Sequence, residues 1–235
     1  MLWMSIFNFS NKSPDYKNSD IEEEFEKFIV DADHPCLMAQ NVFRQNQLRM
    51  HCYGKLNDPA NTNRILVDID HYLANYDFSD RKFYTFLAVF EKQEELSEVE
   101  FEHQIWQQLQ RLHDADDQPW DPTVGNDPNQ KDFSMSLRGK AFYVVGLHPG
   151  SGRAARRAPY AAIAFNLHWQ FEQLRELGTY YILRDKIRQR DVERHGSYNP
   201  MMEDFGANSS EAKQYSGRTV DKSWRCPFSH KKRSA

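Results

Sequence analysis

Apolar positions along the chain change their spacing several times, and each change marks an element. Residues 1–20 mix aromatics with Asn, Ser and Lys in no period and read as a loose arm. Residues 21–30 then set Phe25, Phe28 and Ile29 among four glutamates, a short helix. Asp33, His34 and Pro35 break it. Two apolar runs, 36–43 and 47–53, flank a polar turn and predict a hairpin of short strands. Asn63 predicts a cap for a helix over 64–75, where Ile65, Ile69, Leu73 and Tyr76 recur at helical spacing. Residues 82–90, dense in Phe, Tyr and Val, read as a buried strand.

Ser97 and Glu100 have capping-box spacing, and Phe101, Ile105, Leu109 and Leu112 continue as one stripe, so a helix of about four turns starts there. Residues 114–132 combine Asp, Asn, three prolines and Gly125 into a long surface loop, a length often used for lids. Strands are predicted over 140–147 and 160–165, and helices over 166–177 and 179–194 with Gly178 as the stop between them. The last forty residues are irregular apart from a helix start at NSSEA. This order predicts a single α+β (mixed α/β) domain over 21–228, with a central sheet of about five strands flanked by helices and a basic tail at 229–235.

Composition narrows the class. The 235 residues carry 30 basic against 34 acidic side chains, a net charge of −4, which opposes a dedicated nucleic-acid binder. No apolar run approaches the length of a membrane span, and residues 1–9 lack the features of a secretory signal, so a cytoplasmic protein that neither spans nor enters a membrane is expected. Cys36, Cys52 and Cys226 form no C-x-x-C pair, which fits free thiols in a reducing compartment.

The net charge hides a contrast: Arg138, Lys140, Arg153, Arg156 and Arg157 fall in one stretch without an acid. The loop from Gly146 to Arg157 leaves a buried strand, its Gly150 and Gly152 can turn backbone N–H groups toward an anion, and its arginines can grip carboxylates. Pairing with surface acids is the plainer reading of those arginines. His148, directly before Pro149, could ligate a metal, act as a base or merely satisfy hydrogen bonds. Cys36 and Cys226 are either small buried hydrophobes or thiolate ligands for haem. Glu100 with His103, and His168 with Glu172, have spacings used by di-iron carboxylate bundles, but Glu100 and His103 lie opposite their helix's apolar stripe and a second E-x-x-H is absent. His168, Glu172 and Arg175 share a helix flank that could line a cleft.

The chain resembles the YqcI/YcgG family from about residue 34 to 228. The resemblance is carried by HPCLMA at 34–39, VGLHPGSGRAARRAPYAAIAFNLHWQFEQLR at 145–175, IRQRD at 187–191, GSYNP at 196–200, and YSGR and WRCPF near the end. Several members are haem-dependent N-oxygenases that hydroxylate the guanidino nitrogen of arginine or an arginine-like amino acid in specialised-metabolite biosynthesis. The resemblance therefore implies an oxidoreductase that uses haem b, O2 and an external electron donor. Where the family pattern more commonly has Ser and Pro, this chain has Gly152 and Leu167.

On that basis His148 is the expected iron ligand, with Cys36 and Cys226 as alternatives, and Arg153, Arg156 and Arg157 are the expected propionate partners. Phe142, Tyr143, Phe83 and Tyr84 are expected in the haem slot. Glu172 is the first expected partner of a guanidinium substrate, beside His168 and Arg175, with Asp191 and Glu203 behind it. A haem-binding or haem-sensing protein without turnover, or a simple anion-binding module, are the alternatives, and no oligomeric state follows.

Overall fold

The computed structural model describes residues 19–230. The loose arm, but for residues 19 and 20, and the basic tail beyond residue 230 lie outside them. Among the described residues, a five-stranded mixed sheet is flanked by seven α-helices, an α+β architecture in one domain.

The chain enters through α1 (Ser19–Glu26), which continues as a π-helical turn, Lys27–Asp31. The predicted hairpin does not form. Residues Leu37–Arg44 are helix α2, with Cys36 extended at its N-cap. Leu, Met, Ala, Gln and Arg are strong helix formers, and this propensity outweighs the short apolar run that resembles a strand. Strand β1 (Leu48–Cys52) follows, and helix α3 (Thr62–Ala74) carries the chain over to β2 (Thr85–Phe90), which pairs parallel with β1. Asn63 is not the cap: α3 starts two residues earlier than expected, at Thr62 behind Asn61, whose amide donates to the Lys55 carbonyl.

Helix α4 (Glu98–Ala115) opens with the full capping box, Ser97 and Glu100 each binding the other's backbone N–H. Strands β3 (Met135–Leu137), β4 (Lys140–Leu147) and β5 (Ala161–Leu167) complete the sheet in the order β1-β2-β5-β4-β3, antiparallel beyond the first pair. Helices α5 (His168–Glu176), α6 (Tyr180–His195) and α7 (Ala212–Tyr215) follow. Gly178 separates α5 from α6 at φ +70°, the left-handed conformation that ends a helix.

Strand alternation divides the core in two. Phe86, Phe90, Phe142, Val144, Ile163 and Phe165 pack with Phe101, Ile105, Leu109 and Leu112 of α4. On the other face, Leu87, Val89, Leu147, Ala162 and Ala164 pack with Ile21 and Phe25 of α1. The 114–132 loop is tied down rather than lid-like. Asp116 accepts from the backbone of Gln118 and Arg138, Asp121 accepts from Thr123 and Ala141, and no residue of this loop lines the cavity described below.

Candidate functional site

The second face of the sheet carries a cavity of about 280 Å³. Its floor is Thr85, Tyr143, Val145, Leu147, Ala164 and Asn166, alternate residues of β2, β4 and β5. Leu174 of α5 and Leu183 and Ile187 of α6 close it, with Asn199 to Phe205 contributing a further wall. Arg190 donates to the Asp33, His34 and Pro35 carbonyls, and Arg194 to the Asp33 carbonyl, so α6 clamps the turn that presents His34 and Cys36.

Two imidazoles, His34 and His168, line the cavity, and a third, His148, lies outside it. The His34 ring is committed at both nitrogens: Nδ1 accepts from the Cys36 N–H at 3.1 Å, and Nε2 is 2.9 Å from the Ala155 carbonyl. His168, the first residue of α5, lines the cavity with no hydrogen bond to either ring nitrogen among the described residues; its Nδ1 is 3.8 Å from Glu172 Oε1. Its ring meets Phe205 edge to face at 4.2 Å. Burial pushes both His34 and His168 down to about 4, so both are neutral at pH 7. His148 points the other way. It shares strand parity with Val144 and Gly146, and stacks on Phe101 of α4.

The expected anion loop is already filled from within. The Gly152 N–H donates to Glu98 Oε1 at 3.0 Å, and Arg157 closes the loop by donating to the carbonyls of Ser151 and Gly152. Arg157 does not line the cavity. Arg153 and Arg156 do, but both are engaged. Arg153 pairs with Asp191 of α6 at 2.6 Å, and Arg156 donates to the Gly146 and Gln214 carbonyls. The cations that periodicity overlooked are Arg184 and Arg188, one turn apart on the face of α6 that also carries Leu183 and Ile187. Both reach Asp204, and the Arg188 Nε is buried without a partner among the described residues.

The alternative ligands fare differently. Cys36 lines the cavity, but burial raises its pKa and keeps it a thiol. Cys226 packs on the α4 core, away from the cavity, its thiol pushed up to about 12 by burial. Of the expected slot residues, Tyr143 and Phe83 line the cavity, whereas Phe142 faces the α4 core and Tyr84 also lies outside the wall. Arg175 lines it; Glu172 does not, being 45% exposed and ion-paired with Arg175. Asp191 and Glu203 line it as well. Glu100 stays in its capping box and His103 in contact with Gln107, and among the described residues no group of three or more His, Cys, Asp or Glu could hold a metal.

One carboxylate in the wall escaped the sequence reading. Glu211 is buried, its Oε1 accepting from Ser134 and Tyr215, and burial raises its pKa to about 8. It stands one residue before α7, in an NSSEA segment that reads only as a helix start.

The pieces that carry the resemblance thus have physical jobs. HPCLMA presents His34 and Cys36, IRQRD supplies Ile187, Arg188 and Asp191, and GSYNP places Asn199 in the wall. YSGR and WRCPF meet across the molecule, where Arg218 and Trp224 both bind the Glu102 carboxylate of α4. The model of the YqcI/YcgG family matches residues 25–229. The chain belongs to the YqcI/YcgG family. A similar protein is Uncharacterized protein YqcI of Bacillus subtilis (strain 168), 24% identical over 166 residues, a match covering 68% of this chain and 63% of that protein. No solved structure matches. No helix among the described residues is long and apolar enough to cross a membrane.

Proposed function

We propose that this member of the YqcI/YcgG family is a haem-dependent N-oxygenase acting on a guanidino amino acid, with His168 in place of His148 as the iron ligand. The observation that carries the proposal is the His168 imidazole: neutral, buried and unhydrogen-bonded in a largely apolar cavity rimmed by arginines. That donor set fits haem, which needs an imidazole lone pair, apolar walls for the macrocycle and cations for two propionates. Arg184 and Arg188 are paired with Asp204, but the Arg188 Nε has no partner among the described residues, so Arg188 keeps a donor for a propionate where Arg156 is bound to two carbonyls and Arg157 lies outside the wall.

Bound haem would supply O2 activation with two electrons from an external donor. The net change converts a guanidino N–H to N–OH, while the second oxygen atom leaves as water with two protons and the two electrons. The protein's own part is to hold and to orient. His168, the first residue of α5, would hold the iron, with the Phe205 ring packed edge to face against its imidazole. The rigid floor of Tyr143, Val145 and Ala164 positions the substrate, and the apolar wall of Leu174, Leu183 and Ile187 limits water.

The test is spectral. Protein expressed with ample haem should show a Soret band that His168→Gly loses and added imidazole restores. His148→Ala should keep the band. A Soret band unchanged in His168→Gly would remove His168 as the ligand. The activity is tested by supplying arginine, reductant and O2 and weighing the product for one added oxygen atom.

A further inference from the structure

The cavity wall carries charges of both signs, and most of them are paired: Arg184 and Arg188 meet Asp204, and Arg153 meets Asp191. Glu211 also lines it, a carboxyl with no salt-bridge partner among the described residues. Its two hydrogen bonds, from Ser134 at 2.7 Å and from the Tyr215 hydroxyl, both fall on Oε1, and among the described residues none reaches Oε2. Tyr215 is itself held by the Met135 N–H, so the carboxyl is fixed from one side by groups rooted in β3 and α7. We propose that Glu211 is the docking point for a cationic nitrogen of the cavity's ligand, of the guanidinium, amidinium or ammonium class.

The physical case is one of compensation. A carboxylate taken out of water is costly unless a cation joins it. Without one, Glu211 answers by staying protonated at pH 7, because burial raises its pKa to about 8. The ionisable groups acting on it are Arg175 of α5, Tyr143 of β4 and Tyr215 of α7. Arg175 is occupied by Glu172 and lies over the Tyr180 ring, while both tyrosines are buried and neutral. A ligand cation arriving at Oε2 would ionise Glu211 and expel its proton. Binding is then an exchange of H⁺ for an organic cation, and a neutral ligand of the same shape gains nothing by it.

This inference rests on the cavity being the substrate site, so haem loading and cation binding are read separately. The full chain, with and without haem, is titrated calorimetrically at pH 7 with butylguanidinium and with its neutral isostere butylurea, in phosphate and in Tris. The expected result is at least tenfold tighter binding of butylguanidinium, with close to one proton released, in either form. Release should fall toward zero at pH 9, where Glu211 is already ionised. Glu211→Gln should abolish both the preference and the proton release, and Glu176→Gln, at an exposed carboxylate outside the wall, should preserve both. Equal affinities for the two probes in both forms, or a preference that survives Glu211→Gln, would overturn the assignment. Should Glu211→Gln not fold, infrared difference spectra of the unaltered protein decide: butylguanidinium must erase a protonated-carboxyl C=O band, and persistence of that band overturns the proposal. A missing Soret band beside an intact cation preference would sink the haem reading alone; a normal Soret band with no preference would sink the Glu211 assignment alone.

Discussion

The His148 imidazole lies face to face with the Phe101 ring, centroids 4.2 Å apart and planes inclined by 16°. This stack joins the end of β4 to the first turn of α4, and burial depresses the His148 pKa so that the ring stays neutral there. Replacing His148 by Ala removes a buried aromatic pair and should lower unfolding stability by about 1–3 kcal/mol. Urea denaturation measures the loss. The Soret band should be unchanged, which separates a packing role from an iron-ligand role.

His148 falls outside the cavity by a single residue of parity. The strand 140–147 is legible to the residue because its apolar run is continuous, and Tyr143, Val145 and Leu147 do face the cavity. His148 takes the next position and falls on the face of Val144 and Gly146. Applying the same alternation to β5 would have selected Asn166 and His168 with Ala162 and Ala164. The capping box at Ser97 was legible because it is a local motif. The partners of the arginines were not, because Glu98, Asp191 and the Gln214 carbonyl are distant in sequence and become neighbours only through the sheet order. Glu211 gave no periodic signal, since its burial comes from the fold around a helix of four residues.

Arg153 and Asp191 form an ion pair whose side chains are each 9% exposed, and the same guanidinium donates to the Ser197 carbonyl at 3.0 Å. The pair fastens the glycine-containing loop to α6 and thereby fixes one wall of the cavity. Removing either partner strands the other charge, so Arg153→Met or Asp191→Leu alone should cost about 3–5 kcal/mol. The double variant should recover a large part of that loss. A double-mutant cycle in urea reads the coupling, and additive losses would show that the two groups do not act as a pair.

Gly150 and Gly152 sit two residues apart but differ in what a methyl group would meet. At Gly150 a Cβ would lie 2.3 Å from the Leu96 carbonyl oxygen, a backbone atom that cannot step aside. At Gly152 the nearest atom is Oε1 of the Glu98 side chain, at 3.2 Å. Gly150→Ala should therefore destabilise by about 1–3 kcal/mol, as expected of overpacking. Gly152→Ser should stay within about 0.5 kcal/mol, as for an ordinary surface change. Thermal melts of the two variants side by side test the contrast, and equal losses would contradict it.

The dependence of stability on pH is governed by three buried groups of the cavity wall, with His148, also lowered by burial, adding to the acid side. His34 and His168 have folded pKa values lowered from 6.5 to about 4, so each unfolded ring binds a proton that the folded ring refuses between those limits. Their contribution is complete above pH 6.5 and is lost as the pH falls through 4. Glu211 has the opposite sign: its folded pKa is raised from 4.5 to about 8, so its contribution is complete below pH 4.5 and is lost as the pH rises through 8. Each group contributes a slope of about 1.4 kcal/mol per pH unit where it alone is mismatched. Between pH 4.5 and 6.5 two histidines oppose one glutamate and stability rises; above 6.5 only Glu211 remains and stability falls. The maximum should lie near pH 6.5. Urea unfolding across pH 5–9 measures the curve, and Glu211→Gln should flatten its alkaline limb while leaving the acid limb in place. An alkaline limb that persists in Glu211→Gln would assign the fall to another group.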